Sequence, residues 1–565
     1  MSFFKISKKL LAANVVLEPI RFSTSPDRYR HWKIEVNGEM AKFVWKTDVT
    51  APLRPGYEMK DQTYDLGVDI ELADAIDRIR FENPQVKVVV ITSGHDRIFC
   101  SGANIYMLRS STHGFKVNFC KFTNETRLAM ENASQHSGIK FVAALNGMTA
   151  GGGYELAMAC DGIVLIDDSS SVVSLPEVGL LGVLPGTGGL TRLVDKRKVR
   201  RDHADVFTMM GTTGVKGQQA VDWRLVDAIA SRSNFAKVVE QRAQALAAQV
   251  TVEKGEMGVK LDDVEPVVEG NTLRYQHVTL QMDPAKRTAE LIIQGPEGDP
   301  SGSVEDAVKA GASFWPLRAF RELDNALLQL RMNYENVGVV SIKTRGSRDA
   351  MLAMDSFLDT HRNHWFIRET LLKMAQVFRR MDLTAKTFFA TIDNESNFTG
   401  SLLELALAAD RVYMLDDEGA GTVQVQGSAL NGGSFPTWDD VSRFSHRFLD
   451  TPDQMMPSLA TLMRNPQSAR DANNLRIPTV VYDKFDFPDE VGTAIEERAS
   501  QSPDALTAAE NCLRFPGAHT MASMIFAQLS AWQNLVFSRP NAVGPRGALT
   551  AYGEVWSPEF DRRRT

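Results

Sequence analysis

The feature that most limits how this chain can fold is a repeat of very long period. Glu155–Asp161 reads ELAMACD and Glu404–Asp410 reads ELALAAD. Each runs into a similar apolar stretch, GIVLIDD at Gly162–Asp168 and RVYMLDD at Arg411–Asp417. Upstream, Val337–Thr344 (VGVVSIKT) matches Val86–Thr92 (VKVVVIT), and Phe388–Asp393 matches Phe141–Asn146. The period is 249 residues (404 minus 155), far beyond the roughly 20–50 residues of solenoid repeats. The duplicated unit is therefore a whole domain. Within the first copy, the β-branched run Val86–Thr92 ends at Ser93-Gly94 and reads as a buried parallel strand. Leu72–Phe81 has helical spacing, Phe141–Leu145 is a short strand, Gly153–Asp161 a helix and Gly162–Ile166 the next strand. This alternation predicts an α/β fold with right-handed crossovers.

Composition removes several function classes. A net charge of -7 lacks the basic footprint of a duplex nucleic-acid binder, so no nucleic-acid partner is expected. No apolar run reaches about 18 residues, so no membrane span is expected. Lys5, Lys8 and Lys9 precede a short apolar run, Leu10–Leu17, that meets Glu18 and Pro19, which argues against a signal peptide. Cys100, Cys120, Cys160 and Cys512 form no CxxC pair, and read as free thiols of a reducing cytoplasm. No His/Cys/Asp cluster has metal-ligand spacing. No GxGxxG follows a strand, since Gly182–Gly189 reads GVLPGTGG. Neither metal nor nicotinamide is expected, and hence no cofactor.

Three segments carry the chemistry: Arg97–Ile105 (RIFCSGANI), Asn146–Asp161 (NGMTAGGGYELAMACD) and Ser174–Leu193 (SLPEVGLLGVLPGTGGLTRL). Gly151–Gly153 lie between a strand and a helix, where unpaired N–H groups at the helix start favour negative charge. Alone, three glycines make only a tight turn. With Ser101-Gly102-Ala103 facing them, they can form an oxyanion hole. Glu155 lies in the first turn of that helix and Glu177 in a loop after Pro176. Singly, they would be a dipole-complementing acid and a solvated loop acid. Together beside an oxyanion hole, they can serve as general acid and base. Tyr154 is either a packing aromatic or a group that shapes the pocket toward a ring substrate. Cys100 lacks an adjacent base and reads as packing. His95 and Arg97 read as surface-turn residues, with Arg97 also able to face a phosphate.

These segments resemble the crotonase (enoyl-CoA hydratase/isomerase) superfamily over Ile34–Val250, and more faintly over Phe314–Asp417. The resemblance implies a ββα spiral, here duplicated, with a degenerate second half and helical extensions. It implies an acyl-CoA substrate whose thioester oxygen is held by the N–H groups of Ala103 and Gly152, with Glu155 and Glu177 as the catalytic acids. Phe99, Ser101, Gly102, Asn104, Ile105, Gly151, Gly153 and Tyr154 would line the substrate and CoA. Asn104 departs from the family's common Asp, and Tyr154 from its small or polar residues. In the second half Gly400-Ser401-Leu402 replaces the triplet, Gln426 stands 249 residues after Glu177, and no SGAN-like loop follows Thr344.

The whole chain, including Pro436–Asp440 (PTWDD) and Asn541–Gly553, resembles the ring-cleaving branch, the benzoyl-CoA-dihydrodiol lyases. That resemblance implies conversion of a ring-oxidised benzoyl-CoA (2,3-dihydrodiol or 2,3-epoxide) and water to 3,4-dehydroadipyl-CoA semialdehyde and formate, in aerobic benzoate degradation. A linear enoyl-CoA hydratase or isomerase and a non-catalytic crotonase-fold binding protein are the alternatives. The expected organisation is a catalytic crotonase-like domain at 1–255, a linker and helical segment at 256–313, and a degenerate crotonase-like domain with a C-terminal helical tail at 314–565. A fused pseudo-domain can replace a subunit contact, which points to a homodimer.

Overall fold

A computed structural model describes residues 18–298, 302–501, 503–515 and 520–559. The N-terminal run Leu10–Leu17, the basic end Arg562–Arg564, part of the Gly295–Ser303 loop and the Cys512 side chain lie outside what is described. Among the described residues no helix is long and apolar enough to cross a membrane.

The chain forms two compact units. One comprises the chain to Gly258 together with Met524 onward, and the other is Val259–Ser523. In the first, β1 (Trp32–Asn37) and β2 (Met40–Trp45) form a hairpin. After β3 (Thr63–Tyr64) and α1 (Leu66–Glu82), the strand β4 (Val88–Ser93) joins β2 in parallel. Then come β5 (Ile98–Cys100), β6 (Gly102–Ala103), α2 (Ile105–Ser110), α3 (His113–Asn132), β7 (Lys140–Leu145), β8 (Met148–Ala150), α4 (Gly152–Ala159), β9 (Gly162–Ile166), β10 (Val173–Ser174), β11 (Ala228–Ala230) and α5 (Phe235–Ala247). The main sheet has the order β1-β2-β4-β7-β9-β11. Its core joins Val88, Val90, Val142, Ala144 and Val164 to Val239, Ala243 and Leu246 of α5. Strands buried on both faces need such continuous apolar runs, which is why β4, β7 and β9 stand out in the sequence.

The second unit repeats this plan. An antiparallel meander, β12 (Val267–Glu269), β13 (Thr272–Arg274), β14 (Val278–Asp283) and β15 (Thr288–Gln294), leads to α6 (Trp315–Met332) and β16 (Val339–Arg345). After α7 (Arg348–Thr360), α8 (Trp365–Leu383), β17 (Thr387–Ile392), α9 (Leu403–Leu407) and β18 (Arg411–Leu415), the copy closes with β19 (Val480–Tyr482) and α10 (Phe487–Ser500). The hairpin β14–β15 followed by parallel β16, β17, β18 and β19 reproduces the order and sense of the first sheet.

Local devices are duplicated as well. Asp161 accepts from Phe141 N and Asp410 from Phe388 N, both at 2.8 Å. Glu71 on α1 accepts from His31 N at 2.9 Å, and Glu322 on α6 from His277 N at 2.7 Å.

Two expectations about organisation are corrected. Residues 256–313 are not a linker: β12–β15 belong to the second sheet, and β14–β15 are the counterpart of β1–β2. Their alternating burial is a period-2 pattern, obscured by surrounding charge and Gly. Likewise, the C-terminal helical tail does not belong with the second domain. It returns to the first unit, where Phe537, Ala542 and Leu549 are buried.

Candidate active site

The strand β6 is short because Gly102 bends the chain with φ of 92°, a region open to glycine without strain. That bend brings the loop against the glycine triplet: a Cβ on Gly102 would stand 3.5 Å from Gly152 N. Asn104 N donates to Tyr64 O at 2.7 Å. In this parallel pairing the bonds flank Ala103, so Ala103's own N–H faces away from β3. Across from it, Gly151 turns the chain into α4 with φ of 56°. Gly151 N donates to Ser174 O, and Tyr154 N and Glu155 N donate back to Gly151 O. Gly152 N, in the first turn of α4, has no acceptor among the described residues, as helix starts leave N–H groups unpaired. Beneath it, buried Arg127 donates to Gly152 O at 3.2 Å and to Asp69 at 3.3 Å, which pins the start of the helix.

The two glutamates occupy unlike environments. Glu155, 1% exposed, accepts from Thr187 N at 2.9 Å, from Gly189 N at 2.8 Å and from the Thr187 hydroxyl. Three donors thus converge on one carboxyl group and hold it as their acceptor. The loop that supplies them is itself fixed. Arg192 makes a bidentate pair with Glu131 and donates to Thr187 O at 2.9 Å, and Asn124 donates to Gly186 O at 3.0 Å. Glu177 begins the turn Glu177–Leu181. Its Oε1 lies 2.6 Å from where a Cβ on Gly151 would stand, and its Oε2 is buried without a partner. Burial, and then the charge of Glu155, push its carboxyl well above the usual range. The pair thus combines one anchored acceptor with one carboxyl held toward its neutral form, beside the Gly152 N–H, which has no acceptor among the described residues, and the Ala103 N–H, which faces away from β3.

Of the other residues expected to line substrate, Tyr154, Phe99 and Gly153 are engaged in packing. The Tyr154 hydroxyl donates to Leu225 O at 2.7 Å and its ring packs edge-on against Phe207. It is a packing aromatic, and the expectation that it shapes a ring pocket is corrected. Phe99 is fully buried against Trp45. A Cβ on Gly153 would overlap Cys100, so Gly153 serves helix–loop packing. Asn104 caps α2 through Met107 N and donates to Glu58 O. Ser101 and Ile105 flank this turn, half-buried. Burial pushes the Cys100 thiol far up, and its Sγ accepts from Gly102 N. His95 accepts from Arg97 N and Ile98 N in an exposed turn. Among the described residues no group of three His, Cys, Asp or Glu could hold a metal ion.

Sequence reasoning missed Thr187, Gly189, Arg192 and Arg127. The GTGG run was the available signal for the first two, since backbone N–H groups of a Gly-rich loop commonly serve as acceptor-binding donors.

Comparison with known proteins identifies the family of the chain. The enoyl-CoA hydratase/isomerase family model matches residues 63–268. A benzoyl-CoA-dihydrodiol lyase from Aromatoleum evansii is 48% identical over 554 residues, covering 98% of this chain and 99% of that protein. The fatty acid oxidation complex subunit alpha of Shewanella loihica is 34% identical over 186 residues, 33% of this chain and 24% of that protein. A solved enoyl-CoA hydratase from Geobacillus kaustophilus is 31% identical, with 40% of this chain and 76% of that chain covered and a TM-score of 0.34. Identity sustained across both units means that this chain belongs to the benzoyl-CoA-dihydrodiol lyase family, its first half built on the enoyl-CoA hydratase/isomerase fold.

Proposed function

We propose that the chain is a carbon–carbon lyase that opens the ring of an oxidised, non-aromatic benzoyl-CoA and releases formate. The observation that carries this reading is the near full-length identity to a benzoyl-CoA-dihydrodiol lyase, joined to a paired-glutamate site beside the N–H groups of Ala103 and Gly152. The thioester oxygen would sit between Ala103 N and Gly152 N, where charge spreading from the ring is held as an enolate. Glu155, kept as an acceptor by Thr187 and Gly189, takes a proton from water or a ring hydroxyl. Glu177, held toward its neutral form, gives a proton to the departing carbon or oxygen. The balance is closed by water alone: the dihydrodiol needs one molecule and the epoxide two to give the C6 semialdehyde thioester and formic acid. No step calls on a cofactor.

The test is to incubate the purified protein with enzymatically generated ring-oxidised benzoyl-CoA and follow formate, with crotonyl-CoA hydration measured in parallel. Formate released in proportion to substrate, and lost in the Glu155→Gln/Glu177→Gln double variant, is the expected result. Rapid loss of the crotonyl-CoA chromophore without formate would overturn the ring-cleaving reading in favour of a linear enoyl-CoA hydratase.

A further inference from the structure

Near the loop that holds Glu155 lie side chains with buried polar atoms that have no partner among the described residues. Asn124 on α3 is fully buried, and its amide nitrogen is committed to two carbonyls, Cys120 O at 2.9 Å and Gly186 O at 3.0 Å. Its Oδ1 therefore cannot exchange places with the nitrogen, and it is left as an acceptor with no donor. That oxygen lies 3.1 Å from where a Cβ on Gly188 would stand. From the other side comes the returning C-terminal segment. Gln533, 3% exposed, places its Nε2 3.8 Å from the Cβ position of Gly186, while its Oε1 has no partner. Ser530, on the same helical turn Leu529–Gln533, has a buried hydroxyl with no partner. Thr187, whose N–H and hydroxyl hold Glu155, lies between the two glycines these side chains approach.

A buried acceptor left unpaired costs about 1–3 kcal/mol, and native interiors keep few of them. One unpaired amide oxygen beside the loop, with an unpaired amide oxygen and hydroxyl on the helical turn whose Gln533 reaches that loop, point to a ligand that donates O–H. We propose that Asn124, Ser530 and Gln533 form a polar subsite beside Glu155 that binds an O–H group, supplied by the oxidised ring or by the water that attacks it. This inference rests on the lyase reading above. It gives the returning segment a role that helix-packing alone would not need, since Ile525 of that segment already supplies the apolar contact to the loop.

The full-length protein and its Gln533→Met and Ser530→Ala/Gln533→Met variants would be compared for formate release and for affinity toward ring-oxidised benzoyl-CoA and plain benzoyl-CoA, which lacks ring oxygens. If a ring hydroxyl fills the subsite, the variants bind the oxidised thioester about tenfold more weakly and benzoyl-CoA unchanged, the scale of one lost hydrogen bond. If water fills it instead, their kcat falls about tenfold with both affinities unchanged. Equal losses for both thioesters, or no change in any of the three quantities, would overturn the subsite. Absence of formate from the wild-type protein would instead count against the lyase reading and remove the attacking water with it; selective weakening of the oxidised thioester would then still support the subsite, and unchanged affinities would overturn it.

Discussion

The two halves share a sheet plan but differ at the one place where backbone meets ligand. In the first, Gly152 N is free and Glu177 stands beside Gly151. In the second, Gly400 N donates to Gln426 O just as Gly151 N donates to Ser174 O, and the next N–H, that of Ser401, is taken by Asp355 at 2.6 Å. The Ser401 and Ser428 hydroxyls donate to the same carboxyl group at 2.8 and 2.6 Å. Burial pushes Asp355 up to about 6. A side chain of α7 thus fills the position that the first half leaves open. Glu404, the counterpart of Glu155, accepts from Asn431 at 2.8 Å and faces Arg443 at 3.6 Å. The pairing of Thr399 with Gln426 also corrects the sequence alignment. Gln426 corresponds to Ser174, so the residue matching Glu177 is Ala429, three places on. The second half has lost its site by occupation as well as by substitution.

The comparison breaks first on the acids. Glu155→Gln and Glu177→Gln should each lower formate release by roughly a hundredfold or more, whereas Glu404→Gln should leave kcat within about twofold. A strong loss in Glu404→Gln, in the same formate assay, would give the second half a part in the chemistry. Next come the facing N–H positions. A Cβ on Gly152 would overlap the Tyr64 hydroxyl, so Gly152→Ala should displace the N–H and cost about 3 kcal/mol of barrier. Ser401→Ala should spare activity and cost about 1 kcal/mol of stability, read by denaturant unfolding.

Thr187→Val should lower kcat about tenfold with KM little changed, and Thr187→Ser should restore it, because only the hydroxyl to Glu155 is removed. The smallest effect is on stability against pH. Glu177 has a raised folded value, so the unfolded state releases its proton first and wild-type stability falls as pH rises above the unfolded carboxyl range. Melting curves of Glu177→Gln should exceed wild type at pH 8 and converge with it near pH 4. A constant gap would remove the raised carboxyl from the account.

Much of the site was legible because its chemistry requires rare local features. A Gly-rich strand–helix junction and two acids at fixed spacing appear as letters, and the apolar strands of both copies do too. Other parts were not local. The strand β14 (VTLQMD) alternates in letters as well as in burial, but β15 (TAELIIQ) does so less cleanly, and the sheet they join is completed by later strands. Tyr154 adjoins Gly152 and Glu155 in sequence, yet the helical turn sends its ring toward Phe207. Thr187 and Arg192 act on Glu155 from a loop about thirty residues downstream, and a hydrogen bond over that separation has no periodicity to betray it.

The sequence by itself determined the duplication, the alternation of central strands and helices, and which copy keeps the glycine triplet and both glutamates, because backbone conformation and strand burial are set by neighbouring residues. The tertiary structure alone decided that Glu155 is anchored while Glu177 is not, that Asp355 fills the second half's N–H position, and that the last segment returns to the first unit. Those outcomes depend on desolvation and on donors brought together from distant parts of the chain, and neither is a property of any short stretch of residues.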